Sequence, residues 1–436
     1  MGHTFKPLLL ASALALVLSG CGESTSYSAG AEHDVNNGND NSGTPTTPPT
    51  TPTDPTSPDF SEKQLLASLT DNVFTPTFTE FDNKSDALPS VVKSYCDLEA
   101  VFDPSQEDSD ALAQLTASKL AAQNAWKETM VSWQHAELMI VGPLLANDKS
   151  LRNDIYSWPS VSTCSVDQDV VFFENGNING NAYDISKRSD KRRGLDALEY
   201  LLFNDTLTHS CSSTSAGDVL ADWNSRADQA RKVSRCQYAV EAAKDLAVSS
   251  DSLVAQWSGA AGYANVLKSA GEPNNKFNST KEAINEISDA LFYMTEELKD
   301  YKLATPLGLF NNACGTSICP ESVESRYAKH SIENIRANIS AFERLFNGGG
   351  DGNLGFDDFL DNQSATDTKT IMLQGISDSK VASAAITTDL QTALNSNTSA
   401  VTTTHAKVKD VTDQLKNDFI NKLALELPAT SAGDND

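Results

Sequence analysis

The chain has 436 residues, a formal net charge of -26 from 59 acidic against 33 basic side chains, and seven cysteines. Such an acidic balance excludes nucleic acid and anionic lipid surfaces as natural partners, because both repel a polyanion, and it suits solubility in the cell envelope or the handling of cations. The length is more than one ordinary core needs and points to one large helical unit or two packed halves.

The chain opens with Lys6 and an apolar run from Leu8 to Leu18, too short to span a bilayer, followed by Leu18-Ser19-Gly20-Cys21. This pattern predicts a lipoprotein signal peptide over residues 1–20, cleaved behind small Ser19 and Gly20, with lipid on Cys21. Gly22 stands where an Asp would favour retention in the inner membrane, so the expected location is the outer membrane, periplasmic face, with the membrane touched only through the lipid. Residues 21–58, rich in Ser, Thr and Pro, read as a disordered tether. Six cysteines remain, and in an oxidising compartment they should pair. Proximity along the chain favours Cys96–Cys164, Cys211–Cys236 and Cys314–Cys319, and the absence of any Cys-x-x-Cys argues against a zinc cluster.

From residue 59 to 430 apolar residues recur at helical spacing and alternating strand patterns are scarce, so the fold class is all-α. Ser61-Glu62-Lys63-Gln64 is a capping box opening a first helix. A long helix is predicted from Asp110 to Val141, with Trp126, Met130 and Trp133 on one stripe, ended by Gly142-Pro143. Further helices are expected over Ser186 to Phe203, Asp218 to Trp257, Ser279 to Tyr301, Ser322 to Phe346, Thr368 to Asn395 and Val401 to Leu427. An acidic helix ends in Gly142-Pro143-Leu144 and another in Thr305-Pro306-Leu307, a hint of internal duplication. Two packed four-helix-bundle-like halves, roughly 59–210 and 211–430, would follow, since each amphipathic helix needs partners for its stripe.

The segment richest in chemistry runs from Arg192 to Phe203. Leu195, Leu198 and Leu202 make a core stripe, while Asp196 and Glu199, three apart, share a neighbouring face beside Gly194, where a hard cation could bind. The bland alternative is a solvated acidic face balanced by Arg192 and Arg193.

Gly194-Leu195-Asp196-Ala197-Leu198-Glu199-Tyr200-Leu201-Leu202-Phe203 resembles the signature helix of the imelysin-like proteins, Gly-x-His-x-x-Glu followed by an aromatic and apolar run. Resembling patches occur in the family's order at Trp133 through Pro143, Ile155 through Pro159, Leu303 through Gly308, Glu324 through Asn338 and Gly355 through Phe359. The resemblance implies two related helical bundles, an envelope location and a link to iron acquisition, and some members are described as peptidases. Asp196 departs from the pattern by standing where the family has His, which weakens zinc hydrolysis and favours an oxygen-rich site for iron, manganese or calcium.

His135 and Glu137 are further metal candidates, although two residues apart they point to different helix faces. Glu324 and His330, six apart, share a face poorly. Asp351 through Asp358 superficially resembles a calcium loop but has Asn362 at the closing position. No phosphate loop, nucleophile elbow or His-Glu-x-x-His helix is present.

The resulting expectation is an envelope lipoprotein that binds a metal ion, iron favoured, or a metal chelate, in a cleft between bundles. Asp196, Glu199, His135 and Glu137 would serve the metal, and Arg192 and Arg193 an anion or chelate. The alternatives are a metallopeptidase and an accessory protein that binds a partner such as an outer-membrane transporter without any metal.

Overall fold

A computed structural model describes residues 60–428; the expected signal peptide, Cys21 and the whole expected tether lie outside the described residues. Along the chain come α1 (Glu62–Leu69), α2 (Thr75–Val101), α3 (Ser109–Glu137), α4 (Ala146–Ile155), α5 (Thr163–Glu174) and α6 (Gly194–Phe203). They are followed by α7 (Asp228–Trp257), α8 (Tyr263–Lys268), α9 (Thr280–Leu291), a π-helical segment over Met294–Ala304, and the single turn α10 (Thr305–Leu307). Then come α11 (Ser331–Phe346), α12 (Phe356–Asn362), α13 (Thr366–Ala384), α14 (Leu390–Ser396) and α15 (Thr398–Gln414), which continues through a π-helical turn, Leu415–Phe419, into the single turn α16 (Ile420–Lys422). The strands that the described residues contain make one two-residue hairpin ladder, Asn177–Ile178 with Asn181–Ala182. No helix among the described residues is long and apolar enough to cross a membrane.

Helices α2, α3, α6 and α7 pack as one bundle; the π segment, α11, α13 and α15 form the second, and α11 against α3 joins them. One continuous apolar core runs through both, including the expected stripe Trp126, Met130 and Trp133. Helix α1 is set by its cap, the Ser61 hydroxyl accepting from the Gln64 N–H, and packs on α9, α8 and α12.

Several boundaries differ from expectation for identifiable reasons. Helix α2 escaped the sequence reading because Pro76 and Pro89 break its pattern. Pro76 sits in the first turn, where its missing N–H is harmless. Pro89 costs about 3 kcal/mol in a helix interior, and the buried stripe Phe78, Phe81, Leu88, Val92 and Tyr95 outweighs it. The predicted helix over 186–203 is two short 3-10 turns followed by α6, and those over 218–257 and 322–346 begin only at Asp228 and Ser331. The stretch 368–395 is broken between α13 and α14.

Because α7 lies along α2, it belongs to the first bundle, and the bundles divide after Trp257 and not at 210/211. The same packing corrects the disulfides. Cys96 of α2 bonds Cys236 of α7, and Cys164 at the start of α5 bonds Cys211, replacing the expected Cys96–Cys164 and Cys211–Cys236. Cys314 bonds Cys319.

Candidate functional site

Helix α6 is the axis of the site. Every residue from Gly194 to Leu202 is buried, so Asp196 and Glu199 do not lie on a solvated face. Gly194 makes this burial feasible: its φ is +76°, and a Cβ there would stand 2.5 Å from the Ile155 carbonyl oxygen. Only glycine lets α6 start so close to the end of α4.

Each carboxylate is gripped by one oxygen. Asp196 Oδ2 accepts from the Ser157 N–H at 2.6 Å and its hydroxyl at 3.1 Å. Glu199 Oε1 accepts from the N–H groups of Tyr327 at 2.8 Å and Ala328 at 2.9 Å. A third carboxylate joins them. Glu324 Oε1 accepts from the Tyr156 hydroxyl at 2.8 Å and Gln134 at 3.1 Å, and forms an ion pair with Lys302 at 2.9 Å. Its Oε2 is buried with no hydrogen-bond partner. Asp196, Glu199 and Glu324 together line a cavity of about 340 Å³ between the two bundles, walled by Trp158, Tyr301 and Tyr327 and with Glu321 and Arg326 at its mouth.

Burial dominates the electrostatics. Desolvation pushes the Asp196 carboxyl up to about 7 and Glu199 up to about 8, against the opposing hydrogen bonds from Ser157 and from Tyr327 and Ala328. Asp196, Glu199 and Glu324 all line one cavity, and carboxylate oxygens are the donors a hard cation takes, but the three are not among the carboxylates whose oxygens lie within 4.8 Å of one another. No histidine lines the cavity.

The remaining expected residues are placed elsewhere. Glu137 is fully buried behind the cavity, bonded to Arg152 at 2.6 Å and the Tyr293 hydroxyl at 2.8 Å, and 3.6 Å from Lys302. His135, two residues earlier, faces the other way, toward Glu80 and Arg344, and burial lowers its pKa. Arg192 pairs with Asp169 at 2.7 Å, and Arg193 pairs with Asp154 and with Asp245 at 3.1 Å. Neither arginine lines the cavity, so the expected anion site at Arg192 and Arg193 is not formed. The chain before Gly194 does not continue α6, which is why the two side chains leave its face. His330 sits edge-on to Trp126, pushed down to about 4 by burial. In the glycine-rich turn Asp358 accepts from the Gly355 N–H, and Asp357 pairs with Lys369 at 3.2 Å.

Sequence reading missed Ser157 and Lys302 and discounted Glu324. The available signal was the order of the patches, since Trp158 and Pro159 from one and Glu324, Arg326 and Tyr327 from another line one cavity. Among the described residues, the set of three carboxylates whose oxygens lie within 4.8 Å of one another is a different one, Asp82, Asp86 and Asp251, largely exposed on the first bundle.

Comparison with known proteins agrees with this architecture. A curated relative, iron-regulated protein A of Synechococcus elongatus, is 24% identical over 237 residues, covering 53% of this chain and 54% of the relative. The chain thus spans about half the length of the curated relative it matches. Among solved structures, an iron-regulated protein A precursor from Parabacteroides distasonis superposes with a TM-score of 0.62 at 17% identity, covering 83% of this chain and 95% of that one. An imelysin-like protein from Psychrobacter arcticum gives 0.60 at 16% identity, covering 85% and 98%. The Imelysin family matches residues 77–417, a span that contains all three cavity carboxylates, and the chain belongs to that family.

Proposed function

We propose that the protein binds a hard metal cation, with iron as the favoured cargo, through Asp196, Glu199 and Glu324 in the inter-bundle cavity, and that it does so in the cell envelope. The observation that carries this reading is the buried, unpartnered Oε2 of Glu324, a residue that lines the same cavity as Asp196 and Glu199. Leaving such a group without a partner is costly, and a cation removes the cost. The iron-regulated names of the relatives support iron as cargo. The three disulfides support an oxidising compartment.

A metallopeptidase is less well supported, because zinc hydrolysis ordinarily draws on histidine nitrogens and the cavity presents carboxylates alone. The test is calorimetric titration with ferrous iron, manganese, calcium and zinc, comparing the wild type with the Asp196→Asn, Glu199→Gln double variant. The reading expects stoichiometric binding that the double variant loses. Equal binding by both proteins would place the ion elsewhere and end it.

In the same reading, lipid on Cys21 holds the protein at the periplasmic face of the outer membrane, where a transporter could receive or supply the cation. Labelling with a fatty-acid probe should mark the wild type and spare Cys21→Ala; equal labelling would refute the anchor.

A further inference from the structure

We propose that the cavity takes its cation together with an oxyanion co-ligand, a carboxylate or phosphate group, and that Arg326 at the mouth receives the anion. The inference rests on the cation-binding reading above and names what accompanies the ion. A hard cation takes about six oxygen ligands or more, and Asp196, Glu199 and Glu324 supply half of these at one oxygen each. They do not close into a cage, because their oxygens do not all lie within 4.8 Å of one another. The cavity is also larger than an ion needs, since its volume of about 340 Å³ is the share of roughly eleven waters at about 30 Å³ each. Both observations leave room for oxygens that the protein does not supply.

Arg326 is placed to hold such a group. Its guanidinium carbon lies 4.6 Å from the centroid of the Tyr327 ring, and its Nη2 donates to the Tyr327 hydroxyl at 2.6 Å. Its backbone carbonyl accepts from the Gln391 side chain at 2.9 Å, so the residue is fixed at both ends although it is exposed. Among the described residues no carboxylate stands within ion-pair distance of this guanidinium, neither Glu321, the other charge at the mouth, nor the acids of the cavity. A guanidinium presents a planar fork that matches a carboxylate or phosphate bidentately, and holding it in place beforehand lowers the cost of binding. Beside a site for a bare cation such a charge would only repel the ligand. Beside an ion that carries its own anion it completes the site. Tyr327 joins the two halves, its backbone N–H holding Glu199 Oε1 and its ring holding Arg326. An anion alone is opposed by the carboxylates of the cavity and its mouth, so anion and cation should bind together.

The test is equilibrium dialysis of the full chain with manganese(II) and radiolabelled citrate as probes, repeated with inorganic phosphate in place of citrate. With manganese present the wild type should retain one anion for each bound ion, and without manganese at least tenfold less. Retention of citrate alone would assign a carboxylate co-ligand, and of phosphate alone a phosphate. Arg326→Gln should cut the manganese-dependent retention at least tenfold, with Arg326→Lys between the two because a point charge lacks the fork. Manganese alone should bind Arg326→Gln no more weakly than the wild type, since a nearby positive charge has been removed, whereas a merely structural role for Arg326 would weaken both ligands together. Three results would overturn the proposal: manganese bound with neither anion retained, anion retained equally without manganese, or retention unchanged in Arg326→Gln. A wild type that binds no manganese, with or without either anion, would instead overturn the cation-binding reading itself, and this inference with it.

Discussion

Raising the pH should destabilise the metal-free protein, and the size of the effect follows from the two buried carboxylates of α6. Burial lifts Asp196 from 3.8 to about 7 and Glu199 from 4.5 to about 8. The folded state therefore binds more protons than the unfolded chain between those limits. The stability these groups contribute is present in full below the unfolded values near 4 and is lost as pH rises through the folded values of 7 to 8. Because one pKa unit corresponds to about 1.4 kcal/mol, and the pair spans about two units above pH 5 for Asp196 and three for Glu199, the loss between pH 5 and pH 9 is on the order of 7 kcal/mol for the pair. That is a large share of an ordinary stability of about 5–15 kcal/mol. Urea unfolding of chelator-treated protein across this range measures it directly. The Asp196→Asn, Glu199→Gln variant should show a much flatter profile and exceed the wild type in stability at pH 9. A wild-type profile that is flat, or that rises toward pH 9, would refute the burial argument.

Other consequences can be checked separately. Cation binding at pH 7 should release roughly 1.4 protons, the fraction still held by groups titrating near 7 and 8, falling to near zero at pH 9; calorimetry in buffers of different ionisation enthalpy reads this number, and no release at pH 7 would contradict it. Gly194→Ala forces a Cβ to within 2.5 Å of the Ile155 carbonyl at a φ of +76°, so it should cost several kcal/mol and lower the melting temperature markedly, whereas an unchanged melting curve would show that α6 can shift freely. Peptide mapping without reduction should recover Cys96 linked to Cys236 and Cys164 linked to Cys211; recovery of Cys96 linked to Cys164 would contradict the packing of α2 on α7.

Much of this architecture was legible in the residues because its signals are local. The capping box at Ser61 and the stripe of Trp126, Met130 and Trp133 mark helices that the structure contains, whereas the long helix ends at Glu137, short of the expected Val141, and Gly142-Pro143 opens a 3-10 turn. Helix α2 was hidden because two prolines mask a stripe that succeeds only through burial against α3 and α7. At the site, the three-residue spacing correctly placed Asp196 and Glu199 together. Their environment did not follow from it, since the donors come from Ser157, 39 residues before Asp196, and from Tyr327 and Ala328, 128 and 129 residues after Glu199. Glu324 could not be recognised from its helical spacing to His330, because its partners Gln134, Tyr156 and Lys302 converge from three other elements. The disulfides failed for the same reason: proximity in sequence carries no information about α2 lying along α7.

The most direct test of the central claim is to locate the ion. Crystals of the protein grown with manganese or ferrous iron and measured at the absorption edge of the metal would give an anomalous peak whose position is independent of any assumption about function. The account predicts one peak in the inter-bundle cavity, within coordination distance of Asp196, Glu199 and Glu324. A peak confined to the exposed Asp82, Asp86 and Asp251 cluster, or an empty cavity at saturating metal, would contradict it.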